Sequence, residues 1–339
     1  MPSTTRRRVV CLAAIFACSV SFAAASACGE VHAFTGVGTK GSIAVVPGLF
    51  SSIEAEYDDF VQKLVAEGYS PVYASDLPGQ GYEGSTRYAH QNPDTAFVMC
   101  IESFLKTIDA IAGKTTPPVP MVCTSIGCAV LALVDPRMLW DHPIVMVSPY
   151  FKMSPTSPIR APLGLTGDWE DQAVLAACQL GALAPWAALP AGMDSLFSLS
   201  AVPLVTHCAD WAVLLTSDEE KWRTRCGELP ITPLTVSASS ARKIVCGVVT
   251  TADQLAIHTL AGSDVLMVVP DEDKVASKER AKALCEDLPN CELEELSSGK
   301  HALWLETDEV VSDLAATASA FIDAAHCAWW KDKVPDYPC

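Results

Sequence analysis

Three side chains, far apart in the sequence, are of the types that together make a serine nucleophilic: Ser125, Asp273 and His301. Acyl transfer needs a nucleophile, a base to take its proton, an acid to orient the base, and donors for the developing oxyanion. Ser125 lies in Val119-Pro120-Met121-Val122-Cys123-Thr124-Ser125-Ile126-Gly127-Cys128, where an apolar strand pattern breaks into the helix-like run 129–134. A serine on such a sharp turn is lifted clear of a sheet when small neighbours, two residues to either side, let strand and helix pack closely. Gly127 meets that requirement on one side, whereas Cys123 stands where glycine is usual. Cys123 and Cys128 flank the serine and are rival nucleophiles by residue type. The first falls on the buried strand and the second within the helix, which argues against both.

The acid and the base follow Ser125 in the order Ser, acid, His. The apolar run 265–269 ends in Pro270-Asp271-Glu272-Asp273-Lys274-Val275, which places a carboxylate on a loop just past a strand end. Asp273 is the first choice and Asp271, on the same turn, the alternative. After the strand 292–296 comes Ser297-Ser298-Gly299-Lys300-His301, a loop able to fold back toward Ser125. The rivals to His301 fit less well: His258 precedes the acid strand, and His326 falls at the end of the closing helix. For the oxyanion, one donor is expected from the backbone N–H of Ile126. The other is expected from Leu49, in the loop Pro47-Gly48-Leu49-Phe50 after the first core strand. Gly48 permits a close backbone approach there, but would serve equally as a simple turn glycine.

These residues need a scaffold that presents strand ends along one rim. From Ser42 onward short apolar strands alternate with longer helical stretches, which argues for a mostly parallel sheet covered on both faces. Strands are expected at 42–46, 71–75, 119–124, 144–148, 265–269 and 292–296. Helices are expected at 54–67, 95–111 and 310–325, where apolar residues recur at helical spacing. The alternation stops after Ser148. Residues from about 150 to 262 are rich in Pro, Ala and Trp, with Trp169, Trp186, Trp211 and Trp222 along them, and read as a cap or lid insertion. The core is then 28–149 together with 263–339.

Half of the 339 residues are hydrophobic and 19% are charged, enough for a substantial buried core. Arg6-Arg7-Arg8, an apolar run from Val9 to Ala25 and Ala25-Ser26-Ala27 have the form of a secretory signal peptide over 1–27. The expectation is a secreted or otherwise extracytoplasmic protein, with an uncleaved membrane anchor as the alternative. Residues 1–27 hold three of the 23 basic residues and none of the 40 acidic ones, so their removal leaves a net charge of about −20. Such a surface disfavours nucleic acid and anionic membranes, and suits neutral or zwitterionic substrates with at most peripheral contact with membranes or micelles. Cys11 and Cys18 fall in the signal segment, leaving 12 of 14 cysteines, an even and generous count that suggests disulfides. Cys285 and Cys291 are a plausible local pair. With no C-x-x-C and no H-E-x-x-H, no metal and no cofactor are assigned.

Across roughly 42–325 the residues resemble the lysophospholipase and monoacylglycerol lipase branch of the α/β-hydrolases, the serine aminopeptidase S33-type hydrolases. Pro47-Gly48-Leu49 is similar to the family's H-G-x oxyanion loop. The segment 64–81, with Gly68-Tyr69, Val72, Asp76, Gly79 and Gly81, resembles its L-x-x-x-G-y-x-V-x-x-D-x-x-G-x-G stretch. The serine motif around Ser125, Val147-Ser148-Pro149, the cap segment 215–222, Asp271–Val275 and His301–Glu306 follow in family order. Pro47, Cys123 and Ala302 depart from the pattern, replacing a His, a Gly and a Glu.

The resemblance implies an α/β-hydrolase fold with a helical cap insertion, and hydrolysis of single-chain lipid esters of lysophospholipid or monoacylglycerol type. Ser125 would be nucleophile, His301 base, Asp273 its partner, and the N–H groups of Leu49 and Ile126 the oxyanion hole. Two other readings fit the same residues: a small-ester or peptide-type hydrolase of this fold, and a catalytically silent lipid-binding relative.

Overall fold

Four- to six-residue runs of Val, Ile, Ala and Met, buried on both sides, are the sequence form of strands inside a parallel sheet. They build the centre of a seven-stranded sheet in the order β1-β3-β2-β4-β5-β8-β9. Its strands are β1 (Val31–Phe34), β2 (Ile43–Val46), β3 (Val72–Ser75), β4 (Met121–Thr124), β5 (Ile144–Val147), β8 (Val265–Pro270) and β9 (Cys291–Leu296). All neighbouring strands are parallel except β1, which runs antiparallel to β3 along the edge. The computed structural model describes Cys28 and residues 31–49, 51–78, 93–112, 117–157, 201–203, 212–228, 235–237 and 244–339. The expected signal segment, residues 79–81, Trp169, Trp186, Trp211 and most of the expected cap lie outside these.

Successive residues of a strand face opposite sides, so each central strand feeds two cores. Val46, Cys123, Met146 and Met267 face one layer, packed with helices α2 (Pro93–Ala112), α3 (Ile126–Leu131), α5 (Thr251–Leu260) and α6 (Lys278–Asp287). Val45, Val122, Val145 and Val268 face the other, packed with α1 (Asp58–Ala66) and α7 (Asp308–Lys333). In α2 the buried Phe97, Ile101, Phe104, Leu105 and Ile108 recur every three or four residues, which makes one apolar face. The open edge at β9 carries Glu292, Glu294 and Glu295. Glu295 pairs with Lys278 at 3.2 Å and Lys282 at 2.7 Å, and this charge discourages edge-to-edge pairing.

The expected strands are all present. The stretch 54–67 is two helices, Ile53–Glu56 and α1, broken at Tyr57; the closing helix runs on to Lys333. Strand β1 was not anticipated, whereas α6 is the helix expected to end near Cys285. Within the cap segment, α4 (Glu219–Glu228) and an antiparallel ribbon of β6 (Ala201–Pro203) with β7 (Thr235–Ser237) are described. Trp222 of α4 is buried against the β-sheet face that α1 and α7 cover. Helix α5, at the C-terminal end of that segment, packs Ala252, Ala256 and Leu260 into the core layer beside α3. Among the described residues, no helix is long and apolar enough to cross a membrane.

Strand order reverses between β3-β2 and β4-β5, so chains leave β2 and β4 in opposite directions and open a crevice at their carboxyl ends. Val46 pairs with Cys123. The loop after β2 and the turn after β4 therefore emerge side by side. Their closeness explains Gly127: a Cβ there would collide with the carbonyl oxygen of Pro47 and stand 2.8 Å from that of Val46. By helix propensity alone Gly127→Ala would be favourable by about 0.5–1 kcal/mol. We expect the opposite, a loss of roughly 1–3 kcal/mol from overpacking, read from the urea midpoint. An unchanged or raised midpoint would mean that β2 and α3 are not in this close contact.

Candidate functional site

Ser125 occupies the turn between β4 and α3 with φ 50° and ψ −127°, in the region that L side chains other than glycine rarely adopt. The turn is held from three sides. Ser125 N–H donates to the Val147 carbonyl (3.0 Å), and the Ser125 carbonyl accepts from Cys128 N–H and Tyr150 N–H (3.1 Å each). A disulfide between Cys123 and Cys128 joins the end of β4 to the first turn of α3, with Cα atoms 5.0 Å apart. Both cysteines are fully buried. Neither is therefore a free thiol beside the serine.

His301 reaches this turn from the loop after β9. Its Nε2 is 2.8 Å from Ser125 Oγ, and its Nδ1 is 2.8 Å from Asp273 Oδ2. With the hydroxyl donating to Nε2 and Nδ1–H donating to the carboxylate, the imidazole is in the tautomer that can accept the serine proton. Asp273 is fixed in turn: its Oδ1 accepts from Val275 N–H (2.7 Å) and Ala276 N–H (2.9 Å). All three side chains are buried, and the Asp273 carboxylate is 3% exposed, so the pair interacts with little screening by water. Tyr150 and Trp304 set their rings edge-on to the imidazole, with centroids at 6.5 and 6.2 Å.

The structure thus brings Ser125, Asp273 and His301 together and separates their rivals from them. Asp271 is paired with Lys278, which holds its carboxyl below the usual range, and it points into solvent. His258 is exposed on α5. His326 lies beside the Pro118 carbonyl (3.2 Å), before the start of β4 and so at the opposite end of the sheet from Ser125. Burial there pushes its pKa down. Ile126 is the first residue of α3, so its N–H lies outside the helix's own hydrogen bonding and beside the serine. Leu49 follows Gly48, whose Cα approaches Ser125 so closely that a Cβ would sit 3.0 Å from the serine Cβ. Among the described residues no cluster of three or more His, Cys, Asp or Glu could hold a metal ion.

The histidine loop is tied to residues 215–217 through Glu306 and its neighbours. Gly299 turns the loop with φ +98°, and the Glu306 carboxylate then accepts from Lys300 N–H (2.7 Å) and from Ser217 N–H (2.9 and 2.8 Å). Further bonds run from Ala302 N–H to Leu215 O (2.7 Å) and from Lys300 Nζ to Thr216 O (3.0 Å). Sequence reasoning had Glu306 only as a motif residue and missed Tyr57 altogether, because one unbroken helix was expected across it.

The sheet, the strained serine turn and the Ser-His-Asp relay together define an α/β-hydrolase. The sequence matches the serine aminopeptidase S33 family (Hydrolase_4) over residues 38–308, and the chain belongs to that family of hydrolases. No curated protein sequence matches it. Among solved structures it is similar to a monoacylglycerol lipase from Paleococcus ferrophilus, with TM-score 0.57 and 17% identity over 86% of this chain and 99% of that one. It is also similar to a soluble variant of monoglyceride lipase from Saccharomyces cerevisiae in complex with a substrate analog (0.60, 14%, 88% and 92%). An enol-lactonase from Burkholderia xenovorans LB400 is a further neighbour (0.52, 12%, 87% and 97%). At these identities the likeness is one of fold.

Glu306→Ala would remove the buried acceptor shared by the part-buried amides of Ser217 and Lys300, at about 1–3 kcal/mol in unfolding free energy for the lost charge-assisted bonds. It would also speed hydrogen exchange at those two amides by more than the rest of the molecule. Unchanged protection at Ser217 would mean that the carboxylate does not hold the two segments together.

Proposed function

We propose that the protein is a secreted serine ester hydrolase acting on single-chain lipid esters through an acyl-enzyme intermediate. The observation that carries the reading is the unbroken relay from Ser125 Oγ through His301 to Asp273, both links at 2.8 Å, on a strained turn. Ser125 attacks the acyl carbonyl while His301 Nε2 takes its proton. Asp273 keeps the imidazole in register and stabilises the imidazolium as it forms. The N–H groups of Ile126 and Leu49 receive the oxyanion, each such donor being worth on the order of 10²–10³ in rate. His301 then gives the proton to the departing alcohol, and a water, deprotonated by the same imidazole, releases the acyl group.

The lipid preference is supported by the family resemblance and by the apolar composition of the cap segment. Each methylene of an acyl chain buried there would add about 0.8 kcal/mol. Secretion is supported by the form of residues 1–27 and by disulfides at Cys28–Cys100, Cys285–Cys291 and Cys327–Cys339 besides the one at the serine turn.

A fluorophosphonate probe is expected to label the wild-type enzyme and not Ser125→Ala. Asp273→Asn should fold and bind but lose activity by on the order of 10⁴, from the wrong imidazole tautomer. A series of p-nitrophenyl esters should show kcat/KM rising from acetyl toward longer chains. A preference for acetyl would instead mark a small-ester hydrolase. An unlabelled wild type would mark a silent binder.

A further inference from the structure

Tyr57 lies outside the relay, yet it touches each of the three segments that the reaction needs. It stands at the break between the helix Ile53–Glu56 and α1, with φ −100° and ψ −5°, and is fully buried. Its hydroxyl oxygen accepts from Gly48 N–H at 2.9 Å and is hydrogen-bonded to Thr124 Oγ1, in the residue directly before the serine. Its ring stacks on Trp304 with centroids 5.2 Å apart and planes 10° from parallel, and Trp304 in turn sets its edge against His301. The preceding helical turn is fixed from the sheet, because Asp76 Oδ1 accepts from Ile53 N–H at 2.8 Å.

The hydrogen bond to Gly48 has a directional consequence. The Gly48 N–H is turned inward, toward the Tyr57 hydroxyl, and is occupied. Ser51 Oγ donates to the Gly48 carbonyl at 2.7 Å, so both ends of that residue are pinned. The amide that the loop can present above Ser125 is then the next one, at Leu49. A histidine would occupy position 47 in the family pattern. Here Pro47 offers neither a side-chain donor nor an N–H, and the loop is bonded instead by Tyr57, from the break between the two helices that follow β2. Burial holds the phenol far above its ordinary pKa, so it stays a neutral hydroxyl throughout the working range.

Building on the serine-hydrolase reading above, we propose that Tyr57 is a positioning residue for the oxyanion hole, fixing the Gly48–Leu49 amides relative to Ser125 through its hydroxyl. It touches neither substrate nor the reacting atoms. Its contribution should therefore appear where charge develops on the carbonyl oxygen and not in ground-state binding.

The test is Tyr57→Phe in the full-length enzyme, which keeps the ring stacked on Trp304 and deletes only the hydroxyl. The expected result is a kcat lower by about 10- to 100-fold, short of the full loss of a donor. KM should stay within about threefold, because the lost interaction belongs to the transition state. The rate of fluorophosphonate labelling should fall in parallel. Thr124→Val leaves Tyr57 in place but removes the hydroxyl that orients it, and should move kcat in the same direction by a smaller factor. It serves also where Tyr57→Phe does not fold, as judged by circular dichroism. A folded variant of either kind with wild-type kcat overturns the proposal. So does a fall in kcat/KM carried entirely by KM. Wild type is labelled alongside: if it does not react, the hydrolase reading fails and this inference falls with it. A reactive wild type with an unaffected Tyr57→Phe removes only the positioning role.

Discussion

The pairing of β2 with β4 is the constraint from which the rest of the site follows. With Val46 opposite Cys123, the peptide after β2 and the turn after β4 have no choice but to emerge beside one another. A slip of one residue would turn every buried side chain of the strand toward the wrong layer, so the two hydrophobic cores lock the register. The same parallel pairing carries outward through β5 to β8 and β9, and it delivers Asp273 and the histidine loop to the same rim. Burial of valines thus fixes the distance between a hydroxyl and an imidazole.

Much of this was legible in the sequence, for reasons that can be named. Ser125 and Asp273 each follow a short apolar strand, His301 follows the glutamate-rich edge strand β9 through a turn-rich loop, and strand ends are where a parallel sheet displays its chemistry. By pattern Asp273 is the first choice, but Asp271, two residues away on the same turn, stays open as the alternative. Only the orientation of that turn, with Val275 and Ala276 N–H groups gripping one carboxylate and Lys278 the other, divides them. β1 escaped notice because Val31-His32-Ala33-Phe34 is too short to show alternation, and its place depends on an edge supplied by β3.

Other features were hidden because they depend on tertiary contact. Apolar periodicity runs unbroken through 53–66, since Ile53, Tyr57, Phe60, Val61 and Leu64 are all buried on one side. The break at Tyr57 leaves no trace in the spacing. Cys123 read as a departure from a glycine pattern, and Cys128 as an ordinary helical residue. Placed 5.0 Å apart they are one structural element. Glu306 is buried, as few carboxylates are, and three hydrogen bonds from backbone amides account for it.

The bond between Cys123 and Cys128 closes a covalent loop with the nucleophile inside it. Strand and helix on either side can fray, but their junction cannot open out into an extended chain while that loop is intact. A denatured ensemble is never featureless, and here it retains a bent peptide around a serine whose native φ is positive. Part of the conformational cost of an unfavourable serine geometry is therefore already met in any unfolded chain that keeps this sulfur–sulfur link.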